Sequence, residues 1–174
     1  MAFTKPDEFL SRVELIDAGK LVAAGTRTVL IDVDNTLVPR GTNAIPPSVA
    51  EWVGRLKAQG LRMCLISNNW HKEVFAYARA LELPIVYKAM KPLPFAFLRA
   101  LKKAGGVRRR GVKRQDVRRQ ALVIGDQLLT DVFGAHVLGI RAILVLPQAS
   151  NDLTHTLLLR RFERLFLRGT KPTR

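Results

Sequence analysis

The chain has 174 residues, 48% hydrophobic and 25% charged, which suits one globular domain with a sizeable core and excludes intrinsic disorder as a description of the whole. Its formal net charge of +15 favours polyanionic partners, whether nucleic acid, anionic lipid or small phosphorylated molecules, without choosing among them. A single cysteine, Cys64, excludes an intramolecular disulfide and any thiolate-rich metal cluster, and its apolar surroundings predict a buried, inert thiol in a reducing compartment.

No basic amino-terminal segment leads into a long apolar core, and no uninterrupted apolar run approaches about 18 residues. The expectation is a cytoplasmic protein, neither secreted nor membrane-spanning, with room for peripheral contact at the inner membrane face. A single domain over 1–174 is expected, with a core over about 26–148, a lead-in over 1–25 and a carboxyl-terminal helix over 151–168.

In chain order, Phe9, Val13, Ile16 and Leu21 predict a helical or turn-rich lead-in, closed by Gly25 and packed on the domain. Thr28 to Asp34 then reads as the first strand. A helix carrying Val49, Val53 and Leu56 follows, punctuated by Pro46-Pro47 and Gly60. Leu61 to Ser67 is the second strand, a helix with Val74, Tyr77, Ala78 and Leu81 comes next, and Pro84 to Tyr87 is the third strand. Ala121 to Asp126 and Arg141 to Leu146 complete the set. Strands alternating with helices predict an α/β fold, a doubly wound parallel sheet in a three-layer α/β/α sandwich.

Residues 99 to 119 break the pattern: ten of the twenty-one are Lys or Arg, and only Asp116 is acidic. The segment around Gly105-Gly106-Val107-Arg108-Arg109-Arg110-Gly111 reads as a basic loop, either a solvated face or a grip on anions. Over Leu153 to Leu167, Leu158, Leu159, Phe162, Leu165 and Phe166 share one helical face while Arg160, Arg161 and Arg164 fall largely elsewhere. Such a helix suits an anionic membrane, a partner subunit or the protein's own core.

Four short signals sit at predicted strand ends: Asp32-Val33-Asp34-Asn35-Thr36, Ser67-Asn68-Asn69, Lys91-Pro92, and Gly125-Asp126 with Asp131. Parallel topology gathers such ends at one crevice. Each signal alone has a plain reading: a turn or cap for Asp32-x-Asp34, an N-cap of a helix from Trp70 for Ser67, a solvated charge for Lys91, a turn residue for Asp126. Together they supply what phosphoryl transfer needs, namely a nucleophile, oxygen ligands for Mg²⁺, donors to the phosphoryl oxygens and a proton carrier. Asp32 and Asp126 can bind the metal through side chains and Asp34 through its backbone carbonyl. His71, His136 and His155 lack metal-ligand spacing, and packing is the default reading for Trp70, with substrate contact as the alternative.

In order, spacing and strand context these motifs resemble those of haloacid dehalogenase (HAD) superfamily phosphatases, over residues 28 to 146. The wording Asp-Val-Asp-Asn-Thr-Leu, Ser-Asn-Asn, Lys-Pro and Gly-Asp-Gln-Leu-Leu-Thr-Asp is similar to class IIIA, YqeG-type members, relatives of the mitochondrial phosphatidylglycerophosphate phosphatase. The resemblance implies Asp32 as nucleophile, Asp34 as general acid and base, Thr36 as a support for their loop, and Ser67, Asn68 and Lys91 as phosphate contacts. It implies Mg²⁺ on Asp32, Asp34 and Asp126, and Asp131 as an orienter of water or Lys91. Lys88 is a rival for the lysine role, and the Lys-Pro context favours Lys91.

The short spacings between motifs leave no room for a folded cap domain over the crevice. The expected function is a Mg²⁺-dependent phosphomonoesterase, with phosphatidylglycerophosphate as the substrate the resemblance suggests. Alternatives are a polynucleotide end or sugar phosphatase on the same scaffold, and a nucleic-acid or ribosome-associated adaptor without catalysis.

Overall fold

The computed structural model describes residues 3–42, 44–105 and 113–148. Its elements in chain order are β1 (Glu8–Leu10), a 3-10 turn (Val13–Leu15), α1 (Ala18–Ala23), β2 (Thr28–Ile31), α2 (Pro47–Ala58), β3 (Arg62–Ile66), α3 (Val74–Ala80), β4 (Ile85–Val86), α4 (Pro94–Lys103), α5 (Arg114–Arg119), β5 (Ala121–Gly125), a π-helical turn (Leu128–Val132), α6 (Phe133–Val137) and β6 (Arg141–Val145). The strands form one parallel sheet in the order β1-β6-β5-β2-β3-β4.

The strands read as unbroken apolar runs because both faces of the sheet are covered. Alternation sends Val29, Ile31, Met63, Leu65, Leu122 and Ile124 to one face, with Trp52, Val53 and Leu56 of α2 and Val74 of α3. Leu30, Cys64, Ile66 and Val123 go to the other, with Phe97, Ala100 and Leu101 of α4 and Ala135 of α6. The three-layer sandwich predicted from the sequence is thus the one observed. Burial pushes the Cys64 thiol up to about 12, so it stays protonated and inert at neutral pH, as its apolar setting suggested.

The lead-in departs from expectation. Glu8–Leu10 forms an edge strand paired in parallel with β6, with Glu8 opposite Ile143 and Leu10 opposite Val145. Three residues are too few to display a period, so the sequence showed only the apolar anchors that follow. Those anchors do pack on the domain: Val13, Ile16 and Leu21 join the α2 side of the core, and the buried Trp52 indole N–H donates to the Ile16 carbonyl at 3.0 Å.

The second departure lies after β3. The helix there starts at Val74 rather than Trp70, and Glu73, not Ser67, precedes it. Trp70 and the bend and turn over His71 to Glu73 separate Ser67-Asn68-Asn69 from that helix, so Ser67 is not a helix cap. The first strand is also shorter than predicted, ending at Ile31, which places Asp32 at its very end and frees Val33 and Asp34 to turn.

No helix among the described residues is long and apolar enough to cross a membrane. The predicted carboxyl-terminal helix over 151–168 lies outside the described residues, as do 106–112 of the basic loop over 105–119; the remainder of that loop includes α5.

Candidate active site

The sheet changes direction of travel at β2: β3 and β4 are added on one side, β5 and β6 on the other. At such a switch point the loops leaving the strand ends diverge and open a crevice. Asp32 directly follows β2 and Asp126 follows β5, the two strands that flank the switch.

The loop from Asp32 to Pro46 is pinned from both sides. Val33 and Leu37 are fully buried and hold it to the core, and the Val38 and Leu37 amides both donate to the Val33 carbonyl. Asn35 sits at φ +60°, a left-handed conformation that Asn tolerates better than most residues, and its side-chain oxygen accepts from the Arg40 amide at 3.2 Å. Gln148 ties down the same loop from beyond β6: its amide donates to the Asn35 carbonyl at 3.0 Å and its side chain to the Thr36 carbonyl at 2.7 Å.

Within this frame the two acids of the first motif have separate environments. Asp32 is buried; Thr36 Oγ1 donates to its Oδ2 at 3.2 Å, and Lys91 Nζ donates to its Oδ1. Asp34 faces the loop after β3, where Ser67 Oγ donates to Oδ2 at 3.0 Å and Asn69 Nδ2 to Oδ1 at 3.0 Å. Ser67 in turn accepts from the Asn69 amide at 2.9 Å.

Lys91 is 6% exposed and also donates to Asp131 Oδ1 at 2.6 Å. Its backbone is gripped by the Asn68 side chain, which accepts from the Lys91 amide at 2.7 Å and donates to the Lys91 carbonyl at 3.0 Å. Lys88, the rival lysine, lies elsewhere: its ammonium is 4.6 Å from the Trp70 ring centroid.

Asp131 is held by its second oxygen, which accepts from the Gln127 amide at 3.2 Å. The π-helical turn presses it against Gly125, where a Cβ would come within 2.7 Å of the Asp131 Cβ and still closer to its carboxylate. Gly125 therefore makes the room that Asp131, and through it Lys91, occupies.

Three buried acids, Asp32, Asp126 and Asp131, each offer a carboxylate oxygen within 4.8 Å of the others. Hard oxygen donors collected at one point fit a hard divalent cation such as Mg²⁺. Asp34, whose side chain turns to Ser67 and Asn69, would reach that cation only through its carbonyl.

Electrostatics follows the packing. Burial pushes the Asp32 carboxyl up to about 7 from 3.8; Lys91 opposes this, while Asp131 and Asp34 add to it. Burial alone would lower the Lys91 pKa, but Asp131 and Asp32 reverse that and hold it above its ordinary value, so the ammonium stays charged. In metal-free protein the folded state therefore keeps a proton on Asp32 that the unfolded chain releases near 3.8. The stability this group contributes is present below that value and lost as pH rises through about 7. Urea unfolding in chelator across pH 5 to 8 is expected to show wild type losing stability relative to Asp32→Asn as pH rises; parallel profiles would refute the assignment.

All eight residues singled out from the sequence meet around this crevice: Asp32, Asp34, Thr36, Ser67, Asn68, Lys91, Asp126 and Asp131. Sequence reasoning missed the grip of Asn69 on Asp34, the role of Gln148 and the steric demand on Gly125. The Ser-Asn-Asn wording hinted at the first; a lone Gln beyond the last strand carried no signal. It also misjudged Trp70, whose ring is 67% exposed rather than packed. Of the histidines, His71 is exposed, His136 pairs with Asp7 at 3.0 Å away from the site, and His155 lies outside the described residues.

A family model described as HAD-hydrolase-like matches residues 89–156. A Bacillus subtilis (strain 168) protein named probable phosphatase YqeG is 37% identical over 169 residues, 97% of this chain and 92% of that protein. Among solved structures, the cobalt-bound deoxy-D-mannose-octulosonate 8-phosphate phosphatase YrbI from Haemophilus influenzae superposes with a TM-score of 0.54 at 14% identity, covering 86% of this chain and 90% of its own. An uncharacterized protein from Listeria monocytogenes serotype 4b gives 0.52 at 16% identity, over 77% of this chain and 98% of that one.

Proposed function

The chain belongs to the haloacid dehalogenase superfamily, among its YqeG-type phosphatases, and on that premise we propose that it hydrolyses phosphate monoesters with Mg²⁺ through an aspartyl-phosphate on Asp32. The observation that carries this reading is the buried meeting of Asp32, Lys91, Asp126 and Asp131 at the carboxyl ends of the parallel strands.

A carboxylate oxygen of Asp32 attacks the phosphorus, and the ester oxygen leaves with a proton from Asp34. Asp34 then takes a proton from water, the water oxygen attacks the phosphorus, and the P–O bond to Asp32 breaks to release inorganic phosphate. Lys91 neutralises charge on Asp32 and on the transferring group, and Ser67 donates to a phosphoryl oxygen. Thr36 keeps the Asp32 carboxylate turned toward the crevice, while Asn68 fixes the Lys91 backbone. Asp131 holds the Lys91 ammonium in place. Mg²⁺ on Asp32, Asp126 and the Asp34 carbonyl would offset the negative charge of the phosphoryl oxygens.

The described residues between β2 and α2 form only the Asp32 loop, so nothing there roofs the crevice. An open crevice and a charge of +15 suit an ester presented on a large anionic body, and the phosphatidylglycerophosphate headgroup at a bilayer is the substrate we favour. On this reading the protein works in the cytoplasm, peripheral to the membrane, as one domain.

The test is phosphate release from a panel of phosphatidylglycerophosphate, nucleotide, polynucleotide-end and sugar phosphates. Turnover is expected to vanish in chelator and return with Mg²⁺, with the lipid ester preferred. Turnover indifferent to chelation would refute the metal assignment, and equal rates across the panel would remove the lipid.

A further inference from the structure

We propose that the exposed rim of Trp70, Tyr87, Lys88 and Met90 docks the mouth of the crevice on an anionic bilayer surface. The inference rests on the phosphatase reading and deepens its substrate side by naming the surface that meets the membrane.

Trp70 is 67% exposed and Met90 54%, yet each adjoins a residue of the site: Trp70 follows Asn69, and Met90 precedes Lys91. Large apolar side chains left in water beside a crevice mark a contact surface. The rim is also organised. The Lys88 ammonium lies 4.6 Å from the Trp70 ring centroid and 5.7 Å from that of Tyr87, and Phe75 braces Tyr87 edge-on at 4.7 Å.

The backbone beneath is fixed as well. The Lys88 amide donates to the Asn69 carbonyl at 3.3 Å, and Lys88 and Met90 both sit at positive φ, +48° and +65°. Residues with side chains keep that left-handed conformation only where the surroundings impose it.

Indole and phenol rings favour the headgroup layer, where an apolar body and a polar tip are both satisfied, and a lysine among them adds attraction to anionic lipid. The charge balance is positive: Lys72 and Lys88 are exposed against one exposed acid, Glu73, and the further acid Glu82 is paired with Lys57 at 3.0 Å. A nucleic-acid platform would use the rings and the lysine but gain nothing from an aliphatic edge. Met90, with Leu93 43% exposed beyond it, gains from burial at the acyl boundary, which favours the bilayer.

The chain has two tryptophans, and Trp52 is fully buried, so a change in emission on binding reports Trp70. Vesicles of phosphatidylcholine with a third phosphatidylglycerol are expected to shift the emission of the full chain to the blue, with quenching by brominated acyl chains; phosphatidylcholine alone should not. Trp70→Gln and Met90→Gln, shown to be folded by circular dichroism, should each lower co-sedimentation with the anionic vesicles by at least roughly fivefold. Asp32→Asn should dock as wild type does, which separates docking from hydrolysis. Cleavage of soluble phosphate esters with no emission shift on anionic vesicles overturns the docking surface and leaves the phosphatase reading standing. Undiminished sedimentation of Trp70→Gln and Met90→Gln, or an emission change with single-stranded RNA and none with vesicles, also overturns it. Docking without phosphate release from any ester sustains the surface and defeats the phosphatase reading.

Discussion

Asp32→Asn should lower phosphatase turnover by at least about a thousandfold, because the neutral amide lacks the anionic carboxylate oxygen that attacks phosphorus while Thr36 and Lys91 stay in place. Acid quenching of wild type during turnover should trap phosphate on the protein, and the variant should carry none. Asp34→Asn offers an internal contrast. Its loss should be about a hundredfold to ten-thousandfold on an alkyl phosphate and much smaller on an aryl phosphate, whose leaving group departs without a proton. Wild-type turnover by Asp32→Asn, or equal losses of Asp34→Asn on both esters, would contradict the roles assigned to the pair.

The second large effect concerns stability. Lys91 is the cation bonded to two buried acids, Asp32 and Asp131, and a third, Asp126, lies beside them. Lys91→Met should therefore cost about 3–5 kcal/mol of folding stability in metal-free protein, the usual penalty for leaving buried charge without its partner. Mg²⁺ should recover part of that loss, since a cation among the same oxygens answers the same repulsion. Urea unfolding with and without Mg²⁺ reads both effects. An unchanged midpoint in chelator would mean that Lys91 carries no such burden.

How much of this was legible beforehand depended on whether a feature repeats along the chain. Val29-Leu30-Ile31 and the runs like it announce buried parallel strands, and motifs at their ends must converge, so the meeting of the four motifs could be read from order, while the eight residues within them were picked out by the family resemblance. Edge strand β1 could not, since Glu8–Leu10 is too short to show a period. The contacts that set side-chain orientation were also hidden: Asn69 on Asp34, Gln148 on the Asp32 loop, and Asp131 against Gly125 arise from how turns fold back. Trp70 was misjudged for a related reason, because a large apolar residue beside a motif is normally core and its exposure is a tertiary outcome.

Strand β1 also bears on how the molecule comes to be made. Among the described residues its one neighbour in the sheet is β6, so no strand made earlier can pair with it: Glu8 leaves the ribosome long before Ile143 and waits for it. At ordinary elongation rates that delay is on the order of ten seconds, during which the first strand has an open edge and nothing to pair with. The sheet closes only after nearly the whole described chain has emerged, which makes completion of the fold a late event dominated by long sequence separation. A nascent chain stalled before β6 should thus leave Leu10 without its partner Val145 and open to chaperones, while Val13 and Ile16 already have α2 to pack on; released chain should not expose Leu10.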